Sequence, residues 1–428
     1  MAHTERHLTL QTCRMILKGV KHFGYGSEFS WPSLRRVAAN FGMPAVEPVS
    51  EVVGTAGSSP PRKHVLHVFP SFGIGGVPLR MVRIINHLGK RLRHTVIAFD
   101  NNFEAAASVN DDLDVTIVPV SGVSRGLLHN LAAGALTLRR LRPDLLMTYN
   151  WGAIEWAAAC RISRVRRHVH LEAGFGRGEA DTQFLRRVLF RRWALARCAL
   201  IVVPSCRLQD LASRVWRLPA ARIVYIPNGV DTERFSAPEC DGVPGFVRRP
   251  GEMVIGTVAP LRPEKNVGRL LRAFAALEFS NPLRLVIAGE GAERASLERL
   301  SRELGVSDRV IFTGQVAPER VLGAFDIFGL SSDTEQMPNA LLEAMAASRA
   351  IAAVDVGDVK SIVCEDNREF IVNRDDASAF AQALTRLLHD PEKRRTLGCA
   401  NRQRVAREFS QERMFSAYST ILAPDRTP

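Results

Sequence analysis

Ser331-Ser332-Asp333-Thr334-Glu335-Gln336-Met337-Pro338-Asn339-Ala340-Leu341-Leu342-Glu343-Ala344-Met345-Ala346 follows the short apolar run Ile327-Phe328-Gly329-Leu330. The apolar run reads as a strand and the polar stretch as a loop, while Pro338 suits the first turn of a helix. Glu335 then falls in the loop, and Glu343 lies about one and a half turns into the helix. Backbone N–H groups at such a helix start, those of Gln336, Met337 and Asn339, are available to acceptor oxygens. Two carboxylates in this setting suit the hydroxyls of a sugar or a ribose. Spacing alone is equally compatible with Glu335 complementing the helix dipole and Glu343 being an ordinary helix glutamate.

The same strand–loop–helix rhythm extends in both directions. Downstream of the turn Pro227-Asn228-Gly229, β-type runs fall at 253–258, 284–288, 309–313, 326–330, 350–354 and 369–372. Helical patterns fall at 265–277, 292–304, 338–347 and 376–388, followed by helices near 391–407 and 410–420. Upstream, β-type runs fall at 64–69, 95–99, 115–119, 145–149, 167–171, 199–203 and 222–226. Helical segments are expected at 78–88, 128–141, 152–162, 182–197 and 205–214. Strands alternating with helices mean βαβ units and largely parallel sheets. The expected organisation is an extension and linker at 1–63, a doubly wound α/β domain at 64–226, a second at 227–408, and a C-terminal helix and tail at 409–428. A short helix is expected near 8–21, and the linker is the Gly/Ser/Pro-rich stretch ending at Pro60-Pro61. Open α/β sheets bind ligands beyond the carboxyl ends of their strands, so the cleft between the two domains is the expected site.

Composition narrows the class. The chain has 428 residues, 46% hydrophobic and 24% charged, which is the profile of a globular protein rather than a disordered or collagen-like one. No stretch reaches the ~18 consecutive apolar residues of a membrane helix. Arg14, Lys18 and Lys21 interrupt the N-terminal apolar positions, so no signal-peptide core is expected. Seven scattered cysteines without a C-x-x-C pattern read as reduced cytoplasmic thiols. His168 and His170 share a strand face but lack a third ligand nearby, so no metal site is expected. The net charge of +13 is uneven: residues 64–226 carry 23 Lys and Arg against 11 Asp and Glu, whereas residues 227–428 carry 26 against 29. Only the first domain is therefore suited to a large anionic partner. No aromatic-basic module accompanies this charge, which argues against nucleic acid.

Arg262-Pro263-Glu264-Lys265 lies in the loop after the strand Val254-Ile255-Gly256-Thr257-Val258. A guanidinium, an ammonium and a helix N-terminus together suit a diphosphate. Gly75-Gly76, after the first strand, reads either as a tight turn or as a place of close approach by a ligand. The paired carboxylates form E-x7-E, with Arg262 and Lys265 about 70 residues upstream and Ile226-Pro227-Asn228-Gly229-Val230-Asp231 before them. Leu285-Val286-Ile287-Ala288-Gly289-Glu290-Gly291, Val310-Ile311-Phe312-Thr313-Gly314 and Val354-Asp355-Val356-Gly357-Asp358-Val359 complete an ordered set. In these motifs the chain resembles the family 4 retaining glycosyltransferases, which have the GT-B fold of two Rossmann-like domains facing across a cleft. The resemblance spans residues 64–422 and is strongest over 222–360.

The resemblance implies roles. Arg262 and Lys265 would hold the nucleotide diphosphate of a sugar donor and offset charge on the leaving group. Glu335 would contact the donor sugar and Glu343 the ribose hydroxyls. Gln336, Met337, Pro338, Asn339 and Ala340 would line the sugar and phosphate pocket, and Gly75 and Gly76 would keep it open. Retention of anomeric configuration and independence of metal and cofactor are also implied. The chain departs from the family at three places: Ala173 stands where relatives carry a histidine near the reaction centre, Gln336 replaces a glycine, and Ser348 replaces another. His170 or Glu172 would be the substitute for that histidine, with His170 the catalytic candidate.

The expected activity is transfer of a sugar, with retention, from a nucleotide-diphosphate sugar to a hydroxyl acceptor in bacterial polysaccharide or glycolipid assembly. The rival is a catalytically inactive nucleotide-sugar-binding subunit of a glycan-assembly complex, which Ala173 favours and intact Arg262, Lys265, Glu335 and Glu343 oppose. The basic first domain and the segment Phe184-Leu185-Arg186-Arg187-Val188-Leu189-Phe190-Arg191-Arg192 lead to a lipid-linked acceptor at an anionic membrane surface. On a helix there, Leu185, Val188, Leu189 and Leu195 are expected on one side and the arginines largely on the other. The location expected is the cytoplasm, with a peripheral position on the inner membrane face.

Overall fold

The computed structural model describes residues 62–120, 126–163, 165–175, 179, 182–236, 243 and 246–423. The helix expected near 8–21 and the linker before residue 62 lie outside the described residues. Seven parallel strands form the first sheet: β1 Lys63–Phe69, β2 Leu92–Ala98, β3 Val115–Ile117, β4 Leu145–Tyr149, β5 Arg167–Leu171, β6 Leu200–Val203 and β7 Ile223–Tyr225. Their order is β3-β2-β1-β4-β5-β6-β7. The intervening helices are α1 Gly76–Leu88, α2 Leu127–Leu141, α3 Ile154–Cys160, α4 Leu185–Leu195 and α5 Cys206–Asp210. The strands are nearly all apolar because helices cover both faces of the sheet. β2 starts three residues earlier than its apolar pattern indicates. His94 is drawn inside it, 1% exposed, with its Nδ1 3.0 Å from His67 Nε2, and His67 Nδ1 lies 2.7 Å from Tyr149 Oη.

The second sheet has six parallel strands: β8 Met253–Val258, β9 Leu283–Ala288, β10 Val310–Gly314, β11 Ile327–Leu330, β12 Ala350–Val354 and β13 Ile371–Val372. Their order is β10-β9-β8-β11-β12-β13. The helices are α6 Val267–Ala275, α7 Arg294–Glu303, α8 Pro318–Val321, α9 Asn339–Ala346, α10 Val359–Ile362, α11 Ala377–His389, α12 Pro391–Glu408 and α13 Gln411–Leu422. In each sheet the order reverses next to one strand pair, β1 and β4 in the first and β8 and β11 in the second. The loops leaving those strands therefore diverge and open a crevice. They include the loops that carry Gly75-Gly76, Arg262-Lys265 and Glu335. Ser348, at the position where the resemblance implies a glycine, takes a φ of +60°, a region that glycine enters without steric cost.

Two segments depart from their expected packing. In α4, Leu185 is 71% exposed and Leu189 46%, whereas Arg191 is 0% exposed. The inward face is Val188, Arg191, Ala194 and Leu195, so an arginine holds the centre of the side that faces the core. α13 returns to the first domain. Its Met414, Tyr418, Ile421 and Leu422 join the core of Val65, Phe69 and Met81, and Phe415 stacks on His87.

Candidate active site

The turn after β8 and the loop after β11 are joined by hydrogen bonds. Pro263–Lys265 forms one 3-10 turn, and Asn266, at φ +41°, ends it. The Asn266 side chain accepts from Arg269 N at 3.2 Å, capping α6, and its Nδ2 donates to Asp333 Oδ1 at 2.9 Å. Arg269 donates to the same oxygen at 2.9 Å and to the Ser331 carbonyl at 2.6 Å. The backbone N–H of Asp333 donates to the Glu264 carbonyl at 2.8 Å. This framework brings Lys265 Nζ to 2.5 Å from Glu335 Oε1, which also accepts from Ser332 Oγ at 2.8 Å. Both members of the pair are largely enclosed, at 21% and 10% side-chain exposure. Arg262 is exposed and lines a groove of about 380 Å³ between α6 and α7. The two cations share one turn, but only Lys265 contacts Glu335.

α9 opens at Asn339 with Pro338 as its cap, one residue later than expected. Leu341 N donates to the Pro338 carbonyl at 3.2 Å, and the amides of Asn339 and Ala340 ahead of it precede the first intrahelical bond. A Cβ on Gly76 would lie 3.5 Å from Asn339 Nδ2, so the start of α1 faces the start of α9 across the cleft. Asn228 bridges the two domains at this point. Its Nδ2 donates to the Met337 carbonyl at 2.9 Å and to Asn339 Oδ1 at 2.8 Å, and its Oδ1 accepts from Arg80 of α1. Arg80 is 6% exposed, and two of its three nitrogens have no protein partner. The sequence reading missed it; the signal that marks it is its helical spacing, which puts Arg80 on the inward face of α1 beside Met81, Ile84 and Leu88.

Glu343 lies four residues into α9 and is half-buried. Burial pushes its carboxyl up to about 7, and Glu319 adds to the shift, while Arg83 of α1 and Arg234 oppose it. A carboxylate placed this way is short of partners and suits a pair of neutral hydroxyl donors.

His170 has a different setting from the one expected. It is 0% exposed, its Nδ1 lies 2.8 Å from Thr148 Oγ1, and its Nε2 is 3.8 Å from Glu172 Oε2. Glu172, also 0% exposed, faces Arg191 Nε at 3.4 Å. The Arg191 guanidinium is enclosed by Trp151, Phe175 and Trp216, with ring centroids at 4.7, 5.0 and 5.0 Å, and pairs with Glu179 at 3.2 Å. His170 and Glu172 thus belong to a buried polar cluster rather than an open pocket wall. Ala173, half-buried, donates its N–H to Asn150 Oδ1 at 2.8 Å.

A cavity of about 180 Å³ borders the Glu335 loop. Its lining is polar: Asp333 to Gln336, Asp355 to Gly357, Asn373 to Asp375, and Arg207 from the first domain.

Residues 74–234 match the family described as Glycosyltransferase Family 4, and residues 245–404 match Glycosyl transferases group 1. The chain is 25% identical over 369 residues to D-inositol 3-phosphate glycosyltransferase of Stackebrandtia nassauensis, covering 76% of this chain and 82% of that protein. It is 28% identical over 171 residues to N-acetyl-alpha-D-glucosaminyl L-malate synthase of Bacillus anthracis, covering 40% of this chain and 45% of the relative. It is 32% identical over 209 residues to the glycosyltransferase EpsD of Bacillus subtilis, covering 46% and 54%. For these last two, the chain spans about half the length of the relative. Among solved structures, Anabaena HepE in complex with UDP superposes with a TM-score of 0.71 at 19% identity, covering 84% of this chain and 99% of that one. With both halves matched, and two facing Rossmann-like sheets between them, the chain belongs to the family 4 glycosyltransferases and has the GT-B fold.

Proposed function

We propose that the chain transfers a sugar, with retention, from a nucleotide-diphosphate donor to a hydroxyl acceptor in polysaccharide or glycolipid assembly. The observation that carries this reading is the Lys265–Glu335 contact, with Glu343 on the helix that begins four residues after Glu335. In this reading Lys265 is the cation for phosphate, Glu335 the carboxylate for sugar hydroxyls and Glu343 the carboxylate for ribose. Arg262 supplies a further cation from the same turn. Charge on the leaving diphosphate is offset by these cations and the amides at the start of α9, without a metal. Relatives and neighbours support the donor class: HepE is solved with UDP and, separately, with UDP-glucose.

No protein base is required if the leaving phosphate takes the acceptor proton, and the burial of His170 fits such a front-face route. A lipid-linked acceptor is supported by the outer face of α4, where exposed Phe184, Leu185 and Leu189 lie beside exposed Arg186 and Arg192. Apolar side chains edged by arginines suit an anionic membrane surface. The inactive-subunit reading is disfavoured by the assembled donor side.

The test is a panel of uridine and guanosine diphosphate sugars incubated with the full chain, read by released nucleotide diphosphate. Release from one donor that depends on Glu335 is expected. Absence of both release and nucleotide-diphosphate binding across the panel would remove the reading.

A further inference from the structure

The loop that carries Glu335 is held to the first domain by two side chains of the second. Gln336, 8% exposed, extends across the cleft, and its Oε1 accepts from Ser205 Oγ at 3.1 Å. Its Cγ lies so near Gly174 that a Cβ there would be 3.2 Å away. Asp358, 6% exposed, crosses beside it: Oδ2 accepts from Cys206 N at 2.6 Å and Oδ1 from Arg207 N at 3.2 Å. A carboxylate of one domain thus caps the first turn of α5 in the other, together with that turn's own cap, Ser205, whose Oγ accepts from Leu208 N at 3.1 Å.

The two crossings act on one piece of backbone. The N–H of Asp358 donates to the Gln336 carbonyl at 3.2 Å. Gly357, at φ +56°, lies so close to the loop that a Cβ would sit 2.2 Å from the Glu335 carbonyl oxygen. The 355–358 segment therefore presses on Glu335 and Gln336 from one side while Ser205 holds the Gln336 side chain from the other. Gln336, Asp358 and Ser205 are buried, so separating the domains costs the Asp358 carboxylate its two amide donors and Gln336 Oε1 its hydroxyl donor.

We propose that Asp358 and Gln336 form a clasp that keeps the cleft closed before a donor arrives and fixes the Glu335 loop against the first domain, making both positioning residues for transfer. The proposal rests on the reading of the chain as a nucleotide-sugar transferase. A loop fixed in advance meets the sugar without a further ordering cost, so the clasp acts on turnover more than on nucleotide binding.

The test uses the full chain and three measurements: calorimetric titration of UDP and GDP, turnover of the accepted nucleotide sugar at saturation, and small-angle scattering without ligand. D358A is expected to hold its nucleotide affinity within about twofold, to lose about tenfold or more in turnover, and to show a larger radius of gyration. D358N keeps one accepting oxygen for one of the two amides and turns an NH2 donor toward the other, so it should recover only part of both losses. Q336A should resemble D358A, with the double variant no worse than either single one. Unchanged turnover and scattering in D358A would overturn the clasp. So would a turnover loss matched by an equal loss of nucleotide affinity, or losses that multiply in the double variant. If the unaltered chain neither binds nucleotide nor turns over any donor, the transferase reading falls, and the scattering comparison still decides the clasp.

Discussion

Lys265 Nζ lies 2.5 Å from Glu335 Oε1, so the cation assigned to phosphate and the carboxylate assigned to sugar are paired before either meets a donor. An incoming diphosphate competes with Glu335 for Lys265. Removing the carboxylate and removing the cation then have opposite effects on free nucleotide. K265A should weaken nucleotide-diphosphate binding by about 10- to 150-fold, the worth of a charged hydrogen bond to an enclosed anion. E335Q should leave that affinity unchanged or tighter and depress turnover. R262A should weaken binding as well, by less than K265A, because its side chain is exposed to solvent. Calorimetry with UDP and GDP checks all three, and equal loss of affinity in K265A and E335Q would contradict the division of roles.

Glu343 gives the site a pH dependence. Its carboxyl titrates near 7 in the free protein, because burial disfavours the charge. A ribose that donates two hydroxyls binds the ionised form, so nucleotide affinity should rise with pH between about 6 and 8. Binding near pH 7 should release protons, which titration in buffers of different ionisation enthalpy detects. E343Q should flatten the profile. Folding stability has the other sign. A carboxyl raised above its unfolded value favours the folded state most at low pH, and that contribution fades as pH rises through 7. E343Q should therefore melt higher than the unaltered chain at pH 8.

The buried histidines of the first sheet work in the opposite direction. Burial lowers His67, takes His94 to about 4 and His168 to about 3, and the neighbouring histidines reinforce this. Their contribution is intact above the unfolded value near 6.5 and is lost as pH falls, because the unfolded chain takes up protons that the folded one refuses. Urea midpoints should drop steadily from pH 7 to pH 5, with about 1.4 kcal/mol per pH unit from each such histidine. His94→Gln should reduce that slope, and a slope unchanged by the substitution would remove the assignment.

Arg191 is the interior counter-charge to Glu172 and Glu179. R191A leaves buried carboxylates and an emptied aromatic cage, and should cost about 3–5 kcal/mol of stability. R191M combined with E172Q should restore a substantial part, because charge and partner then leave together. Chemical denaturation of the three proteins decides it.

The membrane reading has a direct test. Flotation with vesicles containing anionic lipid should recover the chain, and recovery should fall as salt shortens the screening length. Substituting exposed Leu185, Leu189, Arg186 and Arg192 with Gln should abolish it, with the folded state intact. Arg191 must stay, since it is interior. Equal recovery with neutral vesicles would point to a soluble acceptor.

The strand and helix rhythm was legible because both sheets are parallel and covered on two faces, so each strand reads as an apolar run bounded by turns. Lys265, Glu335 and the start of α9 were legible for a related reason: they follow strands at the point where the sheet order reverses. What stayed hidden involves polar side chains at apolar positions. Arg80 and Arg191 lie on the inward faces of α1 and α4, and their meaning depends on partners 148 residues away in one case and on loop residues in the other. Gln336 was visible as a departure from the family glycine, but its contact with Ser205 spans 131 residues and leaves no local pattern. The expected grouping of Leu185, Val188, Leu189 and Leu195 on one side is split: Val188 and Leu195 face the core together with Arg191, and Leu185 and Leu189 are exposed.

The return of α13 to the first domain has a consequence for how the molecule is made and how it moves. The chain passes between domains twice, and the two passages run side by side: Val230 donates its N–H to the Phe409 carbonyl at 2.9 Å and accepts from Gln411 N at 3.0 Å. Two tethered passages resist swivelling and leave rotation about their common line as the soft motion. During synthesis, the first domain waits for α13 to complete its interior, so it matures only after its neighbour has emerged.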